Sequence, residues 1–295
     1  MAGTLYLVAG PIGNLEDITL RALRVLREVD LVAAEDTRQA AKLLGHYGIS
    51  KPTVSYHSHN HRQMAPRLIE RLRRGESVAL LSDAGMPGIS DPGGELVLLA
   101  EREGIPVTVL PGPSALVAAA ALSGFRLDGV SFWGFPPRRP GRRRRFFEAL
   151  LGEGRPFVFY ESPHRIVETL ADLAALEPGR PVAVARELTK VFEEVIRGPA
   201  ESVAAAVAIR GPRGEYTVVV GPAGRFRLPG RRGDEWPAEP GEPEEPGGAG
   251  TEPGQGTEAL LLHRRRLVGE GLARLSRTAV PEDENISRDE APEEE

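Results

Sequence analysis

Short apolar runs alternate with helical segments along residues 5–220, and this alternation restricts the possible folds more than any other feature. Segments such as Ile18–Val29 place apolar side chains at the spacing of a helix. Strand–helix alternation predicts α/β layers built on mostly parallel sheets. The runs that resemble strands are Leu5–Val8, Leu31–Ala34, Ser77–Leu81, Val107–Leu110, Val130–Phe135, Phe157–Tyr160, Val182–Ala185 and Tyr216–Val220.

The alternating pattern is interrupted near its middle by Pro111–Pro113, and Ser114 can cap the alanine-rich helix that follows. We therefore expect an N-terminal α/β domain over residues 1–112 and a second α/β domain over residues 113–222, each near the common domain size. After residue 222 the composition shifts to proline, glycine and glutamate. The segment 223–295 is expected to be a largely disordered tail.

Composition excludes several classes of protein. The 295 residues include no cysteine, which excludes disulfides, zinc bound by cysteine and a cysteine nucleophile. The N-terminus does not resemble a signal peptide and no apolar run could span a bilayer, so we expect a cytoplasmic protein with no membrane partner. His57, His59 and His61 alternate as metal ligands can, but no second ligand cluster has zinc-like spacing. We expect a surface loop there and no metal.

Three loops follow predicted strands and contain residues that let the backbone approach a ligand. They are "VAGPIGNLEDIT" (Val8–Thr19), "SVALLSDAGMPGISDPG" (Ser77–Gly93, which includes the end of its strand) and "LPGPSA" (Leu110–Ala115). Ligands of open α/β sheets bind beyond the carboxyl ends of strands, where glycine permits positive φ and proline stiffens the chain. The first and third loops alone are equally well explained as connectors. The second is less easily explained that way, although Asp91 is favoured as a helix cap. Together the three loops indicate one shared cleft.

Eight motifs carry a resemblance to a known family. The chain resembles the class III, tetrapyrrole methylase-like methyltransferases over about residues 4–221, and within them the branch that methylates small-subunit ribosomal RNA. Met86 departs from the pattern of that branch, in which threonine is usual. The motifs occur in the order "LYLVAGPIGNLEDITLRAL", "AAEDTR", "LLSDAGMPGISDPG", "VLPGPSA", "FWGFPPR", "YESPHR", "ARELTK" and "GEYTVVV".

The resemblance implies two α/β/α domains with S-adenosylmethionine bound in the cleft between them. It implies an acceptor as well, the ribose 2′-hydroxyl of a cytidine in the decoding centre of 16S rRNA. The expected partners are the small ribosomal subunit and a second copy in a homodimer, and not DNA. Carried onto this sequence, the donor site includes Pro11, Ser82, Asp83, Ala84, Gly88, Ser114, Ala115, Tyr160, Thr217 and Val218.

A ribose hydroxyl must lose a proton during methylation, so a positioned base would accelerate the reaction. The candidate catalytic residues are Glu187, Glu35 and Lys190, from the "ARELTK" and "AEDTR" motifs. A structural interpretation stands beside this one, in which Glu187 pairs with Lys190 and the "AEDTR" charges form a helix cap and an ion pair. The sequence leaves both interpretations open.

Arginines are concentrated in "PPRRPGRRRRFF", and such a patch can neutralise RNA phosphates. The two phenylalanines at its end are expected to enter the core. Two alternatives stay open, methylation of a tetrapyrrole or another small acceptor, and a non-catalytic rRNA-binding assembly module. The arginine-rich patch argues against the small acceptor. The candidate RNA-binding residues are Arg38, Arg138, Arg139, Arg142, Arg143, Arg144, Arg145 and Arg186.

Overall fold

A computed structural model of the chain describes residues 2–224, and the first half of them builds a parallel five-stranded sheet. The strand order is β3-β2-β4-β1-β5, and every neighbouring pair is parallel. Strands β2 and β4 are entirely buried, as expected of apolar strands covered on both faces. The strands are β1 (Leu5–Val8), β2 (Leu31–Ala34), β3 (Thr53–Ser55), β4 (Val78–Leu81) and β5 (Val107–Leu110).

Four α-helices cover the two faces of this first sheet. The hydroxyl of Thr19 accepts a hydrogen bond from the backbone N–H of Ala22 and so caps α1, whose apolar face then packs on the sheet. Helices α1 and α2 contribute to one core cluster, and α3 and α4 contribute to the other. The helices are α1 (Leu20–Glu28), α2 (Thr37–His46), α3 (His61–Arg73) and α4 (Gly94–Arg102), with a 3-10 turn at Leu15–Asp17.

The second sheet has the order β6-β7-β10-β8-β9. Helices α6, α7 and α8 bury one face, and α5 packs against the other. The strands are β6 (Ser131–Phe132), β7 (Phe157–Glu161), β8 (Pro181–Arg186), β9 (Glu194–Pro199) and β10 (Tyr216–Val220). The helices are α5 (Ala115–Ser123), α6 (Pro140–Gly152), α7 (Ile166–Leu176) and α8 (Ala200–Arg210).

The predicted fold class, two α/β layers with helices on both faces of each sheet, is confirmed, and one detail is corrected. The first sheet is parallel, but in the second only β6 and β7 pair in parallel, whereas β10 runs against both β7 and β8, and β9 runs against β8. The physical reason is clearest at β8 and β9, because residues 187–193 join them as a short hairpin. A parallel pair would need a much longer crossover connection.

The expected domain division at residue 112 stays a prediction. Strands before Pro111–Pro113 enter one sheet and strands after it enter the other, while residues 2–224 belong to a single compact unit. Ser114 caps α5 as predicted, because its side chain accepts a hydrogen bond from the N–H of Val117. The predicted disordered tail, apart from residues 223–224, lies outside the described residues. No helix within residues 2–224 is long and apolar enough to cross a membrane.

Candidate functional site

The three glycine- and proline-containing loops lie side by side, because they follow three adjacent parallel strands, β4, β1 and β5. Gly10 and Gly85 join the first two loops, since the N–H of each donates to the carbonyl oxygen of the other at 3.0 Å. A Cβ on Gly10 would lie 2.1 Å from the carbonyl oxygen of Ser82. Only glycine allows this approach, so the loop composition reflects a close backbone contact.

A cavity of ≈ 400 Å³ lies between the two sheets at this edge. The loops of the first sheet contribute one wall, and β7, β10 and the end of β8 contribute the other. Five predicted donor-site residues line it, namely Ala84, Ser114, Ala115, Tyr160 and Thr217. Met86, the residue that departs from the family pattern, also lines this cavity.

A second cavity of ≈ 530 Å³ adjoins the first and shares Ile12, Ala84 and Glu215 with it. Three further predicted donor-site residues, Pro11, Ser82 and Asp83, line the second cavity. Its other wall comes from α2, for which the sequence predicted no role in the donor site. Gln39, Lys42 and Leu43 line that wall, and their i, i+3, i+4 spacing could have revealed a common helix face.

Two predicted donor-site residues line neither cavity. Val218 is fully buried in the core of the second sheet, where its backbone pairs with β7 and β8, and its donor-site role stays a prediction. Gly88 has a φ of +81°, a conformation that suits glycine, and a Cβ on Gly93 would lie 3.2 Å from its backbone nitrogen. Gly88 therefore shapes the loop.

Asp91 is not the cap of the following helix. Its carboxylate accepts a short hydrogen bond from the hydroxyl of Ser82, and no side chain caps α4, which Gly93 precedes. Asp91 lines the first cavity, and burial raises its pKa. The cap expectation is therefore corrected: the carboxylate fixes the start of the same loop and faces the cavity.

Carboxylates cluster where β2 and β4 end. Burial raises the pKa of Glu35, with further contributions from the negative charges of Asp91 and Asp83. Burial also raises the pKa of Asp83, whose carboxylate accepts a hydrogen bond from the N–H of Asp36 at 3.1 Å. A carboxylate with a raised pKa is a stronger base than an ordinary surface carboxylate, so these groups are candidates for proton transfer.

Asp36 and Arg38 form the helix cap and the ion pair of the structural interpretation, one of the two interpretations that the sequence left open. The Asp36 carboxylate caps α2 through the N–H of Arg38 at 2.8 Å and accepts a second bond from the guanidinium at 2.7 Å. These hydrogen bonds lower the pKa of Asp36 to about 2. The Arg38 side chain stays largely exposed while it makes this pair.

Tyr160 links the two halves of the first cavity. Its hydroxyl oxygen accepts a hydrogen bond from the N–H of Leu116 at 3.2 Å, at the first turn of α5. Burial raises the pKa of the Tyr160 hydroxyl, and its ring contacts Phe132 and Phe135 at centroid distances of 4.9 and 5.8 Å. The tyrosine is therefore held rigidly in the cavity wall.

Glu187 and Lys190 contact each other in the β8–β9 hairpin. The Lys190 ammonium donates to Glu187 and to Glu215, at 2.9 Å in both cases. Burial would raise the pKa of Glu187, but the hydrogen bonds from Lys190 and from the N–H of Glu215 outweigh it and lower that pKa. The same two carboxylates outweigh burial at Lys190 and raise its pKa. The geometry matches the structural interpretation, and the catalytic roles stay predictions.

The candidate arginines fall into three groups. Arg143 is turned inward, with a side chain 3 % exposed, and its Nε donates to Asp172 at 2.6 Å, so its assignment to RNA is corrected. The reason is helical spacing, because Arg143 shares a face of α6 with Phe147 and Leu150. Arg186 forms an ion pair with Glu194 at 3.0 Å. The exposed members are Arg38, Arg138, Arg139, Arg142, Arg144 and Arg145.

The histidine segment occupies a turn and the first residue of α3. The Nε2 atom of His61 lies 3.1 Å from Glu95 Oε2, and the N–H of His59 donates to His57 Nδ1. Within residues 2–224, no group of three or more histidine, aspartate or glutamate side chains could hold a metal ion.

The class of protein follows from comparison with known families. The profile of the tetrapyrrole (corrin/porphyrin) methylases matches residues 4–204. The chain therefore belongs to this methylase family.

Two relatives carry a more specific name. The chain is similar to proteins named ribosomal RNA small subunit methyltransferase I from Halalkalibacterium halodurans and Thermotoga maritima. The first is 49% identical over 218 residues, covering 74% of this chain and 75% of the relative. The second is 47% identical over 218 residues, covering 74% of this chain and 98% of the relative.

Solved structures share the fold at lower identity. Diphthine synthase matches with a TM-score of 0.61 and 21% identity, covering 74% of this chain and 90% of that chain. Uroporphyrin-III C-methyltransferase from Thermus thermophilus, complexed with S-adenosyl homocysteine, matches with a TM-score of 0.53 and 24% identity. That match covers 74% of this chain and 97% of the other. These likenesses show the fold alone.

Proposed function

We propose that this chain is an S-adenosylmethionine-dependent methyltransferase of small-subunit rRNA that modifies the ribose 2′-oxygen of a cytidine. The observation that carries the proposal is the pair of adjoining cavities, which share Ile12, Ala84 and Glu215. One cavity suits a methyl donor, and the other, lined by Lys42 and Lys190 together with Asp83 and Glu215, suits a ribose and its phosphate. Membership of a methylase family and relatives named for small-subunit rRNA support the same reading.

The first cavity fits the donor in size and chemistry. Its volume lies in the range of small-ligand sites, and Ile12, Ala185 and Leu188 supply apolar surface for a nucleoside base. Asp91 lines the same space and can accept hydrogen bonds from the ammonium of the methionine part. When bound, the donor supplies an electrophilic methyl group on a sulfonium.

The protein's contribution is positioning and proton removal. Holding two reactants in line can supply on the order of 7–11 kcal/mol of the barrier. Asp83 lines the second cavity next to Ala84, which borders both cavities, and burial raises the pKa of Asp83. We assign the proton acceptor to Asp83 rather than to Glu187, because hydrogen bonds from Lys190 and from the N–H of Glu215 converge on Oε1 of Glu187 and lower its pKa.

Acceptor binding rests on cations around the cavities. Lys42 and Lys190 line the second cavity, and the exposed arginines at the start of α6 follow Phe135, which lines the first. Such charges attract the phosphate backbone and make binding salt-dependent. Arg143 is excluded from this role because it is buried in an ion pair. An rRNA substrate would place the chain in the cytoplasm.

A second copy of the chain is the proposed partner of an exposed apolar surface. Val117 and Leu122 on α5 are exposed, and so is Val109 on β5, which is the edge strand of the first sheet. An uncovered edge and an apolar helix face are typical of surfaces that pair with another molecule. A homodimer through this face is therefore part of the proposal.

Transfer of labelled methyl from S-adenosylmethionine tests the function. Small subunits, free rRNA and a corrin precursor are offered separately, and we expect label at a cytidine 2′-oxygen of the rRNA. Label on the corrin would favour a small acceptor, and donor binding without any transfer would favour an assembly module. Ala115→Leu, which fills the first cavity, should abolish donor binding, whereas the matched change Ala149→Leu on the exposed face of α6 should not.

A further inference from the structure

The hairpin between β8 and β9 ends in two exposed apolar side chains. Val191 is 92% exposed and Phe192 is 76% exposed. Water is a poor environment for a phenyl ring, and exposed apolar groups that stand together commonly mark a contact with another molecule. We call Val191 and Phe192 the hairpin tip.

The hairpin that carries this tip is held in one conformation. Glu187 and Thr189 have φ values of 50° and 64°, and such a φ is unusual for a residue other than glycine, above all for β-branched threonine. The N–H of Thr189 donates to Glu193 Oε2 at 2.6 Å, and the N–H of Lys190 donates to the carbonyl of Glu187 at 3.0 Å. These hydrogen bonds hold the strained turn in place, and strained turns that are held in this way are common in functional segments.

The hairpin is also docked at the rim of the two cavities. The N–H of Asn14 donates to Thr189 Oγ1 at 3.0 Å, and a Cβ on Gly13 would lie 2.5 Å from Lys190 Cγ. Leu188 lines the first cavity and Lys190 lines the second. The hairpin tip therefore follows directly after residues that line both cavities, so a large acceptor that reaches the second cavity passes beside it.

The surroundings of the tip favour a polyanion with flat faces. Lys42 lines the second cavity together with Lys190, whose ammonium is paired with Glu187 and Glu215. The exposed Arg38, which pairs with Asp36, lies on the same helix as Lys42. Cations beside an exposed aromatic ring form the combination that binds single-stranded nucleic acid, with phosphates on the cations and a base on the ring. A ribose within folded RNA becomes accessible only when its nucleotide leaves the stack, and an apolar wedge can hold a stack open.

We propose that the hairpin tip inserts into the rRNA strand beside the target nucleotide, with Phe192 stacked on a base, and holds the target in the second cavity. The proposal rests on the proposed function and adds a positioning residue to it. Phe192 touches the RNA but takes no part in proton or methyl transfer. It stabilises the state of the substrate in which the target nucleotide has left the stack.

The test compares Phe192→Ser and Phe192→Trp with wild type in methylation of intact small subunits. Stacking on one base corresponds to a change of roughly 5- to 150-fold in kcat/KM, which Phe192→Ser should lose and Phe192→Trp should largely keep. Leu98→Ser, at a 59% exposed leucine of α4, is the matched control and should behave as wild type. Donor affinity and melting temperature should not change in any of the three variants, because both altered side chains project into solvent.

The opposite results are equally definite. Full activity of Phe192→Ser would overturn the inference. Dissociation of a homodimer by Phe192→Ser would assign the tip to a second copy instead. Wild type that labels no rRNA would refute the proposed function itself, whereas active wild type with an equally active serine variant refutes only the role of Phe192.

Discussion

Replacing Arg143 by alanine should destabilise the protein without a direct loss of RNA contact. The guanidinium pairs with Asp172 at 2.6 Å and with Glu168 at 3.6 Å, and the arginine side chain is only 3 % exposed. Removing one partner of a buried ion pair typically costs about 3–5 kcal/mol. Asp172 keeps 30% exposure, so water can solvate part of its charge, and we expect about 3 kcal/mol, at the lower end of that range.

Thermal and chemical unfolding measure this loss. For a unit of this size each kcal/mol corresponds to roughly 2–4 °C in Tm, so Arg143→Ala should melt about 6–12 °C below wild type. The neighbouring Arg142 is exposed and supplies the matched control. Arg142→Ala should stay within about 0.5 kcal/mol of wild type, since surface substitutions away from specific contacts rarely exceed that.

Binding to small subunits at several salt concentrations gives the complementary result. Arg142→Ala should weaken binding and flatten its dependence on salt, because one phosphate contact fewer releases fewer counterions. Arg143→Ala, measured below its own Tm, should bind with the wild-type salt slope. The reasoning is refuted if Arg143→Ala has the Tm of wild type and also flattens the salt dependence of binding. Arg143 would then be exposed to RNA in solution and not buried in an ion pair.

Two further predictions concern the cavities. Since burial raises the pKa of Asp83, the ionised form that accepts a proton is lost as the pH falls through this raised value. The kcat of wild type should therefore fall on that acidic limb, and Asp83→Asn should remove the limb and lower kcat by about 10²–10⁴. An unchanged profile in Asp83→Asn assigns the proton elsewhere. Gly13→Ala would bring a Cβ to 2.8 Å from the carbonyl oxygen of Leu188, so Tm and donor affinity should both fall. Gly45→Ala meets nothing within 4 Å on α2 and should be neutral or stabilising by about 0.5–1 kcal/mol, and equal Tm values for the two variants would count against the close approach.

The local sequence pattern was sufficient to predict features that depend on residues close together in the chain. Apolar runs identified eight of the ten strands within residues 2–224, and the cap at Ser114 followed from residue type and position. It missed β3, which has only three residues, and β9, which is a partly exposed edge strand. Arg143 could have been placed inside the protein, because the spacing to Phe147 and Leu150 is visible in the sequence.

The site depends on contacts that no local pattern contains. The sequence indicated that three loops could approach a ligand, but only the order β4-β1-β5 brings them to one edge, and pairing between distant strands sets that order. Asp91 illustrates the consequence. Its position before a helix predicts a cap, yet the hydroxyl of Ser82, nine residues earlier in the chain, reaches it across the loop. Because Asp91 does not cap the helix, its carboxylate can face the cavity. The residue that the local pattern predicted wrongly is therefore one that lines the cavity. The same reasoning applies to the hairpin at Glu187. Its motif indicated charge chemistry, and the fold pairs Lys190 with Glu187 and with Glu215, a carboxylate 25 residues away in the chain, while the catalytic roles of Glu187 and Lys190 stay predictions.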